Sequence, residues 1–195
     1  MIDMKKIQLE NKEYIIDITK DTYSKLDKKG KRGYKKQLSN KFRKYFDNKL
    51  NEIVNRSISI ENLNVIENIP FFDLVSEARH LYIEGFYYST VALCGVIGEN
   101  ICRTLVESTE ITINYKKLEN KKPLIKLDFS ALNKILIGLN LINQNSYRNL
   151  EVIRKLRNDY VHGKTLSNIV NAKKDANRSI NCIIMILKNE FKPGR

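Results

Sequence analysis

The sequence predicts a mainly α protein, a bundle of helices preceded by a basic N-terminal extension. Three observations predict it. After about residue 70, apolar residues recur at three- and four-residue spacing, the pattern of helices that bury one face. Residues that start, stop or turn helices, such as Pro70, Gly85 and Asn143, interrupt that pattern at intervals of helix length. Strand-like runs are short, and no internal repeat is present.

Taken in order, Ile7-Gln8-Leu9 and the run Tyr14-Ile15-Ile16-Asp17-Ile18, separated by Glu10-Asn11-Lys12-Glu13, predict a small β-hairpin. Tyr14, Ile15, Ile18 and Thr22 also fit a helix. Lys28-Lys29-Gly30-Lys31-Arg32-Gly33 is expected to break whatever precedes it. A basic helix then follows over about 34–55, with Phe42, Tyr45, Phe46, Leu50, Ile53 and Val54 as its apolar stripe. Pro70 restricts the residue before it and suits a first helical turn, so a helix is expected over about 70–84. Gly85 interrupts it. The next helix, about 86–106, is strongly apolar, and Ala92, Gly95 and Gly98 would let a neighbouring backbone approach; such a helix belongs at the centre of a bundle.

The polar stretch 108–128 reads as a long connection with room for a strand. Ser130 is the expected cap of a helix whose apolar face is Leu132, Ile135, Leu136 and Leu139. Asn143-Gln144-Asn145-Ser146 is expected to turn the chain into a helix over about 147–162. A last helix over 168–191 carries Ile169, Ala172, Ala176, Ile180, Ile183 and Leu187 at helical spacing. The resulting division is an extension, residues 1–66, and a bundle, residues 67–195.

A chain of 195 residues can bury its own core without disulfides or metals. Its 42% hydrophobic and 29% charged content describes a globular chain rather than a disordered or membrane-spanning one. Cys94, Cys102 and Cys182 lie among apolar residues without metal-ligand spacing and read as core, and no metal or other cofactor is expected. The first residues, Met1-Ile2-Asp3-Met4-Lys5-Lys6, lack the pattern of a secretory signal, so the expected location is the cytoplasm. The net charge of +13 is large for this size and attracts polyanions. Residues 1–56 hold 16 Lys and Arg against 8 Asp and Glu, so most of the excess is N-terminal. Within it, Lys28, Lys29, Lys31, Arg32, Lys35 and Lys36 form a cluster able to neutralise several phosphates of an RNA strand.

The densest chemistry is Arg157-Asn158-Asp159-Tyr160-Val161-His162, which closes a predicted helix and precedes Gly163. Asn158 and His162 are four residues apart and share a face, while Arg157 lies about 140° round from His162, within reach of a long side chain. Guanidinium, amide and imidazole together supply phosphate-binding and proton-transfer groups, and an imidazole suits acid/base work near neutral pH. A plainer account makes Asn158 and His162 local capping groups and pairs Arg157 with Asp159 or Glu151. Glu99 sits on an otherwise apolar helix and needs a cation; Arg103, four residues on, is the local candidate and Arg157 the distant one.

These residues resemble the R-x4-6-H motif of HEPN domains, with Asn158 at the polar position that commonly follows the arginine. Phe72-Asp73-Leu74-Val75-Ser76-Glu77-Ala78, Glu84-Gly85-Phe86-Tyr87-Tyr88-Ser89 and Gly98-Glu99-Asn100 are similar to the paired first helices of that family. Leu139-Asn140-Leu141-Ile142 is also similar. The resemblance covers about residues 67–191 and implies a HEPN-like up-and-down helical bundle. It implies a metal-independent endoribonuclease of the kind found in toxin–antitoxin and antiviral defence systems, acting as a homodimer with two motif helices facing across the two-fold axis. His162 would transfer protons, Arg157 would clamp the phosphate, Asn158 would orient either, Glu99 would support Arg157, and Tyr160 would form a nearby wall. Such an enzyme would act on RNA, with an antitoxin or defence protein as a further partner. The alternatives are a non-catalytic module binding RNA or nucleotide, and a dimeric assembly scaffold for a partner protein.

Overall fold

The computed structural model describes residues 8–9, 12–13, 23–62, 71–113, 116–117, 119–162 and 169–191. Two compact units divide the chain, Met1–Leu50 and Asn51–Arg195.

In the first unit, strands β1 (Gln8–Leu9) and β2 (Lys12–Glu13) pair antiparallel, with Gln8 opposite Glu13 and Leu9 opposite Lys12. The second strand falls in the segment expected to be the turn of the hairpin, and residues 14–18, expected as its second strand, lie outside the described residues. Helix α1 (Lys28–Ile58) starts at the lysine cluster rather than after it. The reason is a cap. The Asp27 carboxylate accepts the Gly30 N–H at 2.6 Å, and the Asp27 carbonyl accepts the Lys31 N–H at 2.9 Å, satisfying amides that a helix start leaves open. A Cβ on Gly30 would stand 2.9 Å from that same carboxylate oxygen, so the glycine leaves room for its own cap. The apolar stripe of α1 is present but outward: Phe42, Tyr45, Phe46, Leu50 and Val54 are all exposed.

The last turns of α1, from Asn51, belong to the second unit, where Arg56 and Ile60 are buried. The unit continues with α2 (Phe72–Glu84) and α3 (Tyr87–Ser108). A two-residue antiparallel pair follows, β3 (Thr112–Ile113) with β4 (Lys116–Lys117), and then the short α4 (Lys122–Ile125). Helices α5 (Phe129–Gly138), α6 (Gln144–Val161) and α7 (Ile169–Glu190) complete it. Gly85 takes φ 91°, a left-handed conformation that a side chain would strain. Its N–H reaches the Tyr82 carbonyl and the Phe86 N–H the Leu81 carbonyl, a Schellman end that turns α2 directly into α3. The cap of α5 is Asp128, whose carboxylate accepts the Ala131 N–H at 2.8 Å, and not Ser130. Asn143 caps α6 by accepting the Asn145 and Ser146 N–H groups, both at 2.9 Å, so the expected turn is the cap and first turn of the helix.

Helix α3 is the centre. It packs against α2, α4, α5, α6 and α7 and buries Val91, Cys94, Ile97, Ile101 and Cys102 completely. Gly98 is what admits α5 and α6: a Cβ there would stand 2.9 Å from Phe129 Cζ and 3.3 Å from Ile153 Cγ2. Helix α7 buries Ala172, Ala176, Ile180, Ile183 and Leu187, the stripe read from its spacing, and Ile184 and Ile186 beside it. All three cysteines are free and buried, and burial pushes their thiols above the ordinary thiol range. Among the described residues no helix is long and apolar enough to cross a membrane.

Candidate active site

Helix α6 presents the motif. The Arg157 side chain lies across α3 at Gly95, where a Cβ would stand 2.5 Å from its Cδ, 2.7 Å from its Cγ and 2.8 Å from its Cβ. Only glycine at 95 leaves that trough open. One turn further along α3, Glu99 meets the guanidinium: Arg157 Nη1 donates to Glu99 Oε2 at 3.0 Å. The other oxygen of the same carboxylate accepts from Arg103 Nη2 at 2.5 Å. Both arginines proposed by the sequence as partners of Glu99 therefore hold it. Arg103 Nη1 in turn donates to the Ile125 carbonyl, tying α4 to α3.

The triad is partly open to solvent. The side chains of Arg157 and Arg103 are each 33% exposed and that of Glu99 21%. In that setting each ion pair contributes about 1 kcal/mol or less, enough to orient a side chain but small against a fold. Two guanidinium groups face one carboxylate, so the cluster keeps a net positive charge. Neither Glu151 nor Asp159 is the partner shown for Arg157. Glu151 instead engages Arg154 through Oε2 to Nη2 at 2.8 Å and accepts from Asn133 Nδ2 at 3.0 Å. The Arg154 hydrogen bond is the main cause holding the Glu151 carboxyl below its ordinary value.

His162 ends α6. Its backbone N–H donates to the Asn158 carbonyl at 3.0 Å, and its φ and ψ of −88° and 9° place it at the C-cap. The side chains of Asn158 and His162 are exposed. Gly163, expected just beyond the helix, lies outside the described residues. Tyr160 is 8% exposed, its ring tilted against that of Tyr88 with centroids 5.4 Å apart and its hydroxyl donating to Asp175 Oδ2 at 3.0 Å. It fixes α6 to α7 from the inner face. Exposed apolar residues flank the triad and the helix end: Val96 beside Gly95, and Val161 beside His162.

The basic cluster Lys28, Lys29, Lys31, Arg32, Lys35 and Lys36 occupies the first two turns and more of α1, in the first unit. All but the half-buried Lys31 are exposed. The Lys31 ammonium sits 5.9 Å from the centroid of the Tyr23 ring. Tyr82 and Tyr87 are buried. His80 is exposed and its ring contacts the Ser76 carbonyl at 2.9 Å. The sequence marked Gly95 as a point of close approach but did not indicate that the Arg157 side chain fills it; the glycine's position four residues before Glu99, on the same helical face, is the signal that would have found it.

No family model matches this chain, and no curated protein or solved structure matches it.

Proposed function

We propose that this protein is a metal-independent endoribonuclease of the HEPN type, working in a toxin–antitoxin or antiviral defence setting. The observation that carries the reading is the Glu99–Arg157 ion pair over Gly95. It holds a guanidinium in place, with solvent access, on the same helix end as an exposed amide and an exposed imidazole. A capping role alone would not require an arginine bridged to a second helix.

His162 takes the proton of a ribose 2′-hydroxyl, and the oxygen attacks the adjacent phosphorus. The 5′-oxygen leaves with a proton, giving a 2′,3′-cyclic phosphate and a 5′-hydroxyl end. Arg157 offsets the charge that builds on the phosphoryl oxygens, and Asn158 orients the phosphate or the imidazole. The motif of one chain supplies one histidine, so the leaving-group proton comes from the partner subunit's His162 in a two-fold dimer. The exposed Val96 and Val161 give that interface an apolar component next to the polar groups. The basic start of α1 adds affinity for RNA without catalytic groups.

The test is RNA cleavage by the purified protein in EDTA. Wild type should yield fragments ending in 2′,3′-cyclic phosphate, and 2′-O-methyl RNA should resist. Arg157→Ala and His162→Ala should each lower the rate by about 100-fold or more with helical content unchanged. Dependence on added magnesium, or full activity in both variants, would sink the mechanism. RNA binding with no cleavage by wild type would assign the non-catalytic module instead.

A further inference from the structure

A pocket of about 320 Å³ opens in the second unit where the end of α1 meets α2 and α7, with Arg56, Ser59, Tyr82, Lys173, Lys174 and Asn177 in its lining. None of the motif residues takes part. Among the described residues of the lining three are cationic and none is acidic.

Arg56 is 3% exposed, an expensive place for a guanidinium unless its donors are met. Its Nε donates to the Ile83 carbonyl at 2.6 Å, near the C-terminus of α2, where the helix dipole favours a cation. Its Nη1 donates to Glu52 Oε2 at 3.2 Å and weakly to the Tyr87 hydroxyl at 3.4 Å. Its Nη2 is buried and has no partner among the described residues. The Glu52 side chain is 65% exposed, so its screening of this charge is mostly shared with solvent.

Three neutral polar groups of the pocket, those of Ser59, Tyr82 and Asn177, are occupied with each other. Asn177 Nδ2 lies 3.0 Å from both the Ser59 and the Tyr82 hydroxyls. Ser59 Oγ donates to the Arg56 carbonyl at 2.8 Å, which makes Tyr82 the donor in the 3.0 Å contact between the two hydroxyls. The Asn177 carbonyl oxygen accepts from Asn181 Nδ2 at 3.2 Å. A fixed frame results, which leaves the exposed side chains of Asn55, Lys173 and Lys174 and the buried Arg56 guanidinium as the rest of the polar lining. Both lysines are exposed, and neither has an ion-pair partner among the described residues. Asp175, between Asn177 and the lysines in sequence, is engaged by Tyr160.

We propose that this pocket binds a phosphate monoester. A phosphate dianion matches the two ammonium groups of Lys173 and Lys174, and the Arg56 guanidinium in the lining, paired only with a mostly exposed Glu52, adds to the positive field. The volume sits at the small end of the range of roughly 300–1,000 Å³ for ligand sites, suited to a phosphate with one attached sugar or nucleoside. Two sources carry that chemistry, a free nucleoside monophosphate and the 5′-phosphate end of an RNA. The site is separate from the proposed nuclease centre and stands whether or not that centre is active.

Calorimetric titration of the full chain tests it. The probes are AMP, adenosine, and one 2′-O-methyl oligoribonucleotide prepared with a 5′-phosphate and with a 5′-hydroxyl. The phosphate-bearing probes should bind more tightly than their phosphate-free counterparts. Lys173→Ala with Lys174→Ala should weaken that phosphate-dependent binding about tenfold or more, without lowering the melting temperature of the unliganded protein. The exposed pair Lys126→Ala with Lys134→Ala removes the same charge elsewhere and should leave binding nearly unchanged. Because this comparison spares Arg56, it survives any folding defect of an Arg56 variant. AMP binding as tight as the oligonucleotide's identifies a free nucleotide as the source; tighter binding of the 5′-phosphorylated oligonucleotide identifies an RNA end. Equal binding with and without phosphate, or equal losses in the two lysine pairs, would overturn the proposal.

Discussion

Gly95→Ala is the most direct probe of the trough that holds Arg157. Helix propensity alone favours the substitution, by about 1 kcal/mol for replacing a mid-helix glycine with alanine. Packing opposes it. The new methyl would lie 2.5–2.8 Å from three carbons of the Arg157 side chain, and one of these is Cβ, which cannot swing aside without moving α6. Forcing a methyl into a filled site costs typically about 1–3 kcal/mol. The packing cost meets or outweighs the propensity gain, and a net loss of up to about 2 kcal/mol is expected. For a chain of this size that corresponds to a fall of up to roughly 8 °C in melting temperature. Gly138→Ala is the matched control. It sits in helix α5 with nothing within 4 Å of its Cβ position and should be neutral or slightly stabilising. Combining Gly95→Ala with Arg157→Ala removes the Cγ and Cδ clashes and should recover part of the loss, a coupling of about 0.5 kcal/mol or more. Thermal unfolding followed by circular dichroism reads all three. If Gly95→Ala behaves like Gly138→Ala, the Arg157 side chain does not lie over Gly95 and the geometry assigned to the candidate site fails.

Two further outcomes follow from other parts of the bundle. The folded-state pKa of Glu151 is depressed below 4.5, so its stabilising effect is complete above that pH and is lost as the pH falls through the folded value. Glu151→Gln should therefore melt below wild type at pH 6, with the gap closing as the pH falls below 4.5; a gap that stays constant with pH would rule out the ion pair as its cause. The thiols of Cys94, Cys102 and Cys182 are buried and raised by that burial, so a disulfide thiol reagent at pH 8 should react slowly with the native protein and label all three in urea. Fast stoichiometric labelling of the folded chain would show that these cysteines are not core residues.

Much of the second unit was legible in the sequence because its cause is local. The spacing of Ala172, Ala176, Ile180, Ile183 and Leu187 specifies one buried face whatever the partner helix. The apolar character of residues 87–108 likewise marks the helix that every neighbour touches. The errors came where short polar side chains choose between turn and cap. Asp27, Asp128 and Asn143 each start a helix by accepting an N–H two or three residues on, and sequence alone left all three inside or beside expected loops.

For the candidate site, the sequence by itself determined which chemical groups share the end of α6, since Arg157, Asn158 and His162 are fixed by one helix's geometry. It also narrowed the partners of Glu99 to two arginines. Only tertiary structure decided that one carboxylate serves both, because the distance from residue 99 to residue 157 depends on how α3 and α6 pack at Gly95. The same holds for the phosphate pocket. Arg56 reads in sequence as one more charge on a basic helix, and only the packing of α1's end against α2 buries its guanidinium beside Lys173 and Lys174. Periodicity reports which face of a helix is apolar, but the placement of a charge against a distant helix is a property of long-range packing that no local pattern encodes.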